Sequence, residues 1–268
     1  MKHTFLSFIL LLAVCFSSLF VACNMFSHES ITIETVKDST TYTEGDKPSV
    51  TAALDVDYPE SGDPLMVRSV KQWIGGQLGL TDTTAMSGPE SFAEAFFKKY
   101  ETGKEMLKNH PDGYAYRILV RKVDETAAYV SFTISTETFE GKKESTTHIG
   151  ATFIKPTGKI FGYDMFSAGH PRSLAVLVMQ GLMKSHEADD FQQLTRYISS
   201  KCFSPMDQGV NKLPETAPWI EGDNVVFQYT ATELQGDSIQ HLEARVPLSK
   251  AKKFFSPDFQ RALEEAVK

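Results

Sequence analysis

The sequence is poor in cysteine, and that poverty excludes a whole class of fold. Of 268 residues only Cys15, Cys23 and Cys202 are cysteines. Cys15 and Cys23 fall in or at the end of an apolar leader, so Cys202 is the one thiol expected in the body. A small disulfide-stapled scaffold is therefore ruled out, and stability has to come from a core. Positive charge is also scarce. The formal net charge is −7, where a nucleic-acid partner would favour a basic face, so no nucleic acid is expected as partner. No Asn-x-Ser/Thr sequon occurs, and no long apolar run follows the leader. The Gly-x-Ser-x-Gly elbow, the His-Glu-x-x-His helix pattern and the Walker and dinucleotide glycine spacings are missing too. What is abundant is apolar material: 41% hydrophobic residues and 19 Phe suffice for a sizeable core.

The leader begins with Met1-Lys2-His3, a short basic stretch. Phe5 to Phe16 is apolar, and Leu19-Phe20-Val21-Ala22-Cys23 follows. A basic start, an apolar centre and a small residue before the cut are the parts of an export signal. The ending resembles the lipobox of bacterial lipoproteins, with bulky Phe20 at −3 and small Ala22 at −1. That resemblance implies a signal peptide over 1–22 and a lipid (palmitate) on Cys23. It places the mature chain in the bacterial cell envelope, lipid-anchored and extracytoplasmic, with the membrane as a partner through Cys23. Residues 23–30 are polar and read as a tether.

Residues 31–110 read as a small N-terminal α+β part. Ile31, Ile33 and Thr35 mark one strand and Val50 to Tyr58 another, joined at Gly45-Asp46-Lys47-Pro48; Pro59 to Pro64 should break the second. Leu65, Val67, Val70, Trp73, Ile74 and Leu78 form a helical stripe. Gly75, Gly76 and Gly79 read as its C-terminus rather than a phosphate loop. A further helix opens at Ser87-Gly88-Pro89-Glu90 and runs to about Asn109.

Residues 111–268 read as the larger part. Strands over 114–123, 127–139 and 144–154 are linked by Gly141-Lys142-Lys143 and closed by Pro156-Thr157-Gly158-Lys159, which implies a meander. A helix is expected over 172–200, a Pro-rich loop over 202–217, strands over 225–230 and 241–246, and a last helix from Ser256, capped there with Pro257 at N1. The fold class is α+β: an antiparallel sheet covered by helices, with the smaller N-terminal α+β part beside it.

Two stretches resemble the RsiV-like family, the lysozyme-sensing ectodomains of anti-sigma factors. One runs from Thr146-Thr147-His148-Ile149-Gly150 through Thr157-Gly158-Lys159 to Asp164-Met165-Phe166. The other runs from Ile220-Glu221-Gly222 through Tyr229 to Val246-Pro247-Leu248. The resemblance spans about residues 115–265, and the part before it is similar to the small domain that often precedes this family. It implies a binding or accessory domain, without carrying over any contact residue to lysozyme.

No catalytic or metal constellation is evident, and no cofactor is expected. His148 lies on the Thr146–Thr152 face of its strand; a hydrogen-bonded structural role outweighs that of ligand or base. His186 to Asp190 reads as an acidic helix start, with Asp189 or Asp190 as cap. Cys202 reads as an inert thiol. Trp73, Trp219 and Tyr229 are the aromatics able to line a sugar-binding groove, although packing is their ordinary fate. The weak candidates for binding are thus His148, Trp219 and Tyr229. The expected function is a non-enzymatic binding or accessory module for an envelope protein (lysozyme-like) or peptidoglycan. A hydrolase of cell-wall material and a structural component of an envelope assembly remain alternatives.

Overall fold

The computed structural model describes residues 29–80, 86–155, 157–167, 169, 171–194, 212–230, 233 and 242–265. The strands β1 (Thr32–Tyr42) and β2 (Val50–Ser61) form an antiparallel hairpin. The helix α1 (Pro64–Gln77) follows. Asp63 caps it by accepting from the Met66 N–H at 2.9 Å, and Pro64 sits where its missing N–H costs nothing. Its far end is a Schellman closure: Leu80 N donates to Gly75 O, Gly79 N donates to Gly76 O, and Gly79 has φ +62°. The three glycines therefore end a helix, as their pattern predicts.

The helices α2 (Pro89–Lys99) and α3 (Lys104–Asn109) replace the single helix expected over 89–109; the chain leaves helical geometry between Tyr100 and Gly103. They lead into the meander β3 (Tyr114–Glu125), β4 (Tyr129–Glu140), β5 (Lys143–Ile154) and the short β6 (Lys159–Ile160). All these neighbours pair antiparallel. One pairing departs from expectation. The segment Val50–Val56 of β2 lies parallel to Tyr114–Val120 of β3, so one mixed six-stranded sheet runs β1-β2-β3-β4-β5-β6. The strand β2 also continues through Pro59, which pairs with Ile33 beyond the end of the β3 ladder; there the absent N–H leaves no ladder bond unmade. The boundary expected at 110–111 thus falls within one sheet.

Alternation gives this sheet two unlike faces. On one, Leu54, Val56, Ile118, Val120, Phe132 and Phe153 are buried under Val70 and Ile74 of α1 and Phe92 and Phe96 of α2. The other face is polar. Half of it is covered by a second sheet of β7 (Trp219–Glu221), β8 (Asn224–Tyr229) and β9 (Leu242–Pro247), antiparallel throughout. The outer face of this small sheet packs on α4 (Pro171–Ser185) through Leu174, Val178, Leu182, Phe227 and Ala244, and Phe259 of α7 (Pro257–Glu265) joins the same core through Phe161 and Phe255. The short α6 (Leu248–Ala251) joins β9 to a 3₁₀ turn at Lys252–Phe254. Ser256 caps α7, accepting from Phe259 N at 3.3 Å, as the Ser-Pro start predicts.

The helix expected over 172–200 ends at Ser185. Glu187 takes φ +49°, uncommon for a non-glycine residue, and the short α5 (Phe191–Leu194) begins after Asp190. Asp190 caps it by accepting from Gln193 N at 3.0 Å.

The second core carries one flaw with a measurable consequence. Tyr163 packs in an aromatic group with Phe166 and Phe227. Its hydroxyl is buried and, among the described residues, has no hydrogen-bond partner; burial pushes its pKa well above the phenol range. A buried unsatisfied donor costs about 1–3 kcal/mol. Tyr163→Phe is therefore expected to raise stability by about 1 kcal/mol, read as a higher urea midpoint at unchanged slope. A loss of stability would mean that the hydroxyl has a partner.

Candidate functional site

The functional residues have to be sought on the polar face of the six-stranded sheet, because its apolar face is sealed by α1 and α2. The register puts Ser131, Thr133 and Ser135 of β4 opposite Thr152, Gly150 and His148 of β5. Toward one end of the strands this face meets the small sheet. There β7 crosses β3, β4 and β5. The Ser131 and Thr152 hydroxyls are buried 2.8 Å apart, and Thr152 Oγ1 accepts from Ile220 N at 2.7 Å. An edge-strand N–H is so satisfied by a side chain of the other sheet. Trp219 lies directly over Gly150, and any Cβ at Gly150 would run into the indole.

His148 stands at the border of this seam. Its Nδ1 is 2.8 Å from Ser135 Oγ, its carbonyl accepts from Gln228 Nε2, and its ring centre is 5.9 Å from that of Trp219. Trp219 is 1% exposed and donates from Nε1 to Glu221 at 3.1 Å; Arg245 holds the same carboxylate. Tyr229 is also 1% exposed, and its hydroxyl donates to Lys212 O at 2.9 Å. The structure thus brings His148 and Trp219 together but as parts of the seam, and puts Tyr229 in the core of the other face of the small sheet. Neither Trp219 nor Tyr229 lines an open groove, because each fills space between packed layers. Trp73 packs edge-on against Phe153 at 5.9 Å. Cys23 and Cys202 lie outside the described residues. Among the described residues no three His, Cys, Asp or Glu side chains gather as a metal site.

Beyond His148 the polar face is uncovered. Its side chains come from β1 to β5 and are charged in both signs. Level with His148 rather than beyond it, the buried Asp55 of β2 takes Arg121 at 2.9 Å and Lys37 at 3.3 Å. Desolvation pushes the Asp55 carboxyl up, but the two cations prevail and hold it below the ordinary carboxylate range. Arg117 reaches Glu137 at 3.5 Å. Next to that pair, Phe139, Glu144 and Thr146 line a cleft of about 370 Å³. Phe139 is 38% exposed in it, an aromatic presented among charges. Sequence reading missed these residues. Arg117 alternates with Tyr116 and Ile118, but Glu137 and Phe139 lie between Thr136, Thr138 and Glu140, where no apolar period marks a face, and only the register shows that the three converge.

No protein-family model matches the sequence, and no curated protein matches it either. Solved structures do match in fold. A DUF3298 family member from Bacteroides fragilis is 13% identical, superposes over 88% of this chain and 99% of its own, and gives a TM-score of 0.63. A DUF3298 family protein from Pseudomonas aeruginosa is 12% identical over 87% of this chain and 97% of its own, with a TM-score of 0.53. At such identities the likeness is one of architecture, and it spans nearly the whole of both neighbours. The chain has the α+β fold seen in these bacterial DUF3298 proteins.

Proposed function

We propose that the protein is an exported lipoprotein, anchored through Cys23, that acts by binding an envelope partner on the open half of its six-stranded sheet. The observation that carries this reading is the cleft beside Arg117 and Glu137, where a half-exposed aromatic sits among side chains of both signs. Such a surface suits a partner that is itself mixed in charge, either a protein such as a lysozyme or the peptide stems of peptidoglycan. It suits a strongly anionic polymer poorly. The sheet supplies rigidity, so side chains presented from it lose little freedom on binding. The partner would dock without bond-making chemistry from this chain.

Co-sedimentation with purified peptidoglycan, and interferometry against a lysozyme, test the reading. One of the two probes is expected to bind, and Phe139→Asp or Arg117→Glu should weaken it at least tenfold, roughly 1.4 kcal/mol. Binding untouched by both variants, or no binding of either probe, would overturn it. Mass spectrometry of the membrane-extracted chain tests the anchor: an acylated Cys23 as first residue is expected.

A further inference from the structure

A second concavity lies on the opposite side of β2, and its position relative to the chain start gives it meaning. It is a groove of about 850 Å³ between the end of β2 and the exposed side of α1, within the size range of sites for small ligands. Pro64, Val67, Leu80 and Met86 make it largely apolar. Arg68 and Lys71, one turn apart on α1, stand along it. Among the described residues neither has a carboxylate at ion-pair distance. Lys71 instead lies 4.5 Å over the Tyr58 ring, and burial pulls its pKa down. Glu60 is the one acid in the lining. An apolar trough flanked by two cations that, among the described residues, have no ion-pair partner matches an amphiphile with an anionic head.

The chain enters the fold at the rim of this groove. Ile31 is buried, and both its backbone groups are held: its N–H donates to Glu125 and its carbonyl accepts from Lys122, each at 3.0 Å. Gly62, in the groove wall, packs against the Ile31 Cα; a Cβ there would come within 3.2 Å of it. Cys23 precedes Ile31 by eight residues, a span of at most about 29 Å when fully extended. If Cys23 carries the anchor, the groove is tied within that distance of the bilayer.

We infer that this groove takes an anionic phospholipid from the membrane that holds the chain, with Arg68 and Lys71 on its phosphate and the apolar wall on an acyl chain. The inference rests on the anchor reading above for the choice of a lipid as occupant. The test is native mass spectrometry of the membrane-purified full chain with phosphatidylglycerol or phosphatidylcholine added. One phosphatidylglycerol per chain is expected, held at least tenfold more tightly than phosphatidylcholine. Gly76→Trp should abolish both adducts, since a Cβ at Gly76 meets nothing within 4 Å and the ring can fill the groove without displacing the helix. Lys71→Glu, a change at the rim, should remove the headgroup preference and serves if the tryptophan variant misfolds. No adduct, an adduct indifferent to both substitutions, or equal binding of the two lipids overturns the inference. The same spectra report Cys23: an acylated terminus without a lipid adduct sinks the groove alone, while an adduct on a chain with unmodified Cys23 sinks the anchor alone.

Discussion

Replacing Trp219 by alanine is expected to cost about 3–5 kcal/mol of folding stability, the range for removing a buried aromatic. The side chain is 1% exposed and fills the space over Gly150. Its loss would open a cavity between two sheets that, beside the buried Val226, are joined by polar contacts that hold one another in fixed positions. The Ser131–Thr152–Ile220 bonds need β7 at its present distance, and the Gln228 amide on His148 O needs β8 there too. A cavity under β7 loosens all of them together, so the seam should fail cooperatively. The reciprocal change tests the same contact from below. Gly150→Ala forces a methyl into the indole and should cost about 1–3 kcal/mol by overpacking. In the double variant the methyl enters space that the indole has left, so the two losses should not add. Urea unfolding followed by circular dichroism measures all three. A cost below about 1 kcal/mol for Trp219→Ala would show that the small sheet is held elsewhere, through α4 and the aromatic group of Tyr163, Phe166 and Phe227.

Much of this architecture is visible in the sequence because burial imposes a period. The alternation of Tyr116, Ile118 and Val120 and that of Val130, Phe132 and Ile134 locate β3 and β4, and Ser256-Pro257 locates the start of α7. Register is harder. Setting the hairpin turn at Gly141-Lys142-Lys143 leaves the pairing open by one residue, and a one-residue slip exchanges the two faces of a strand. With Glu140 paired to Lys143, Ser135 falls opposite His148, and the His148 environment follows. The parallel pairing of β2 with β3 has no local signature, since the partners are separated by three helices. The break at Glu187 is marked by no Gly or Pro that the eye can find. The strand β7 has three residues, too few to show a period, yet it carries the tryptophan that closes the seam. The open-face cleft was hidden for the same reason as His148: its residues are ordinary one by one and meet only through pairing.

Glu125 is where the second large effect is expected, and it concerns how the body is tied to what precedes it. Its carboxylate takes Lys155 at 2.6 Å, Lys122 at 3.0 Å and the Ile31 N–H at 3.0 Å. The Lys155 side chain is only 4% exposed. Glu125→Ala leaves that ammonium buried without its counter-ion, a situation that costs about 3–5 kcal/mol. Replacing both partners, as in Glu125→Gln with Lys155→Met, removes the stranded charge and should recover most of the loss. Acid should act on the same cluster. Burial pushes the Glu125 carboxyl up, but the two ammonium groups and the backbone N–H outweigh burial and hold its pKa below the ordinary 4.5. A carboxyl with a depressed folded-state pKa binds its proton more readily when unfolded. Its contribution is therefore complete above about pH 4.5 and declines as pH falls toward the lower folded-state value. Asp55 acts in the same sense, so Glu125→Gln should flatten the acid limb of the stability curve only in part. Hydrogen exchange separates this clamp from the core. In the Glu125 variants the amides at Ile31 and the first residues of β1 should lose protection before those of β3 and β4. If they keep it, the grip on Ile31 comes from its burial in the apolar core, and the polar clamp does not govern where the chain leaves the fold.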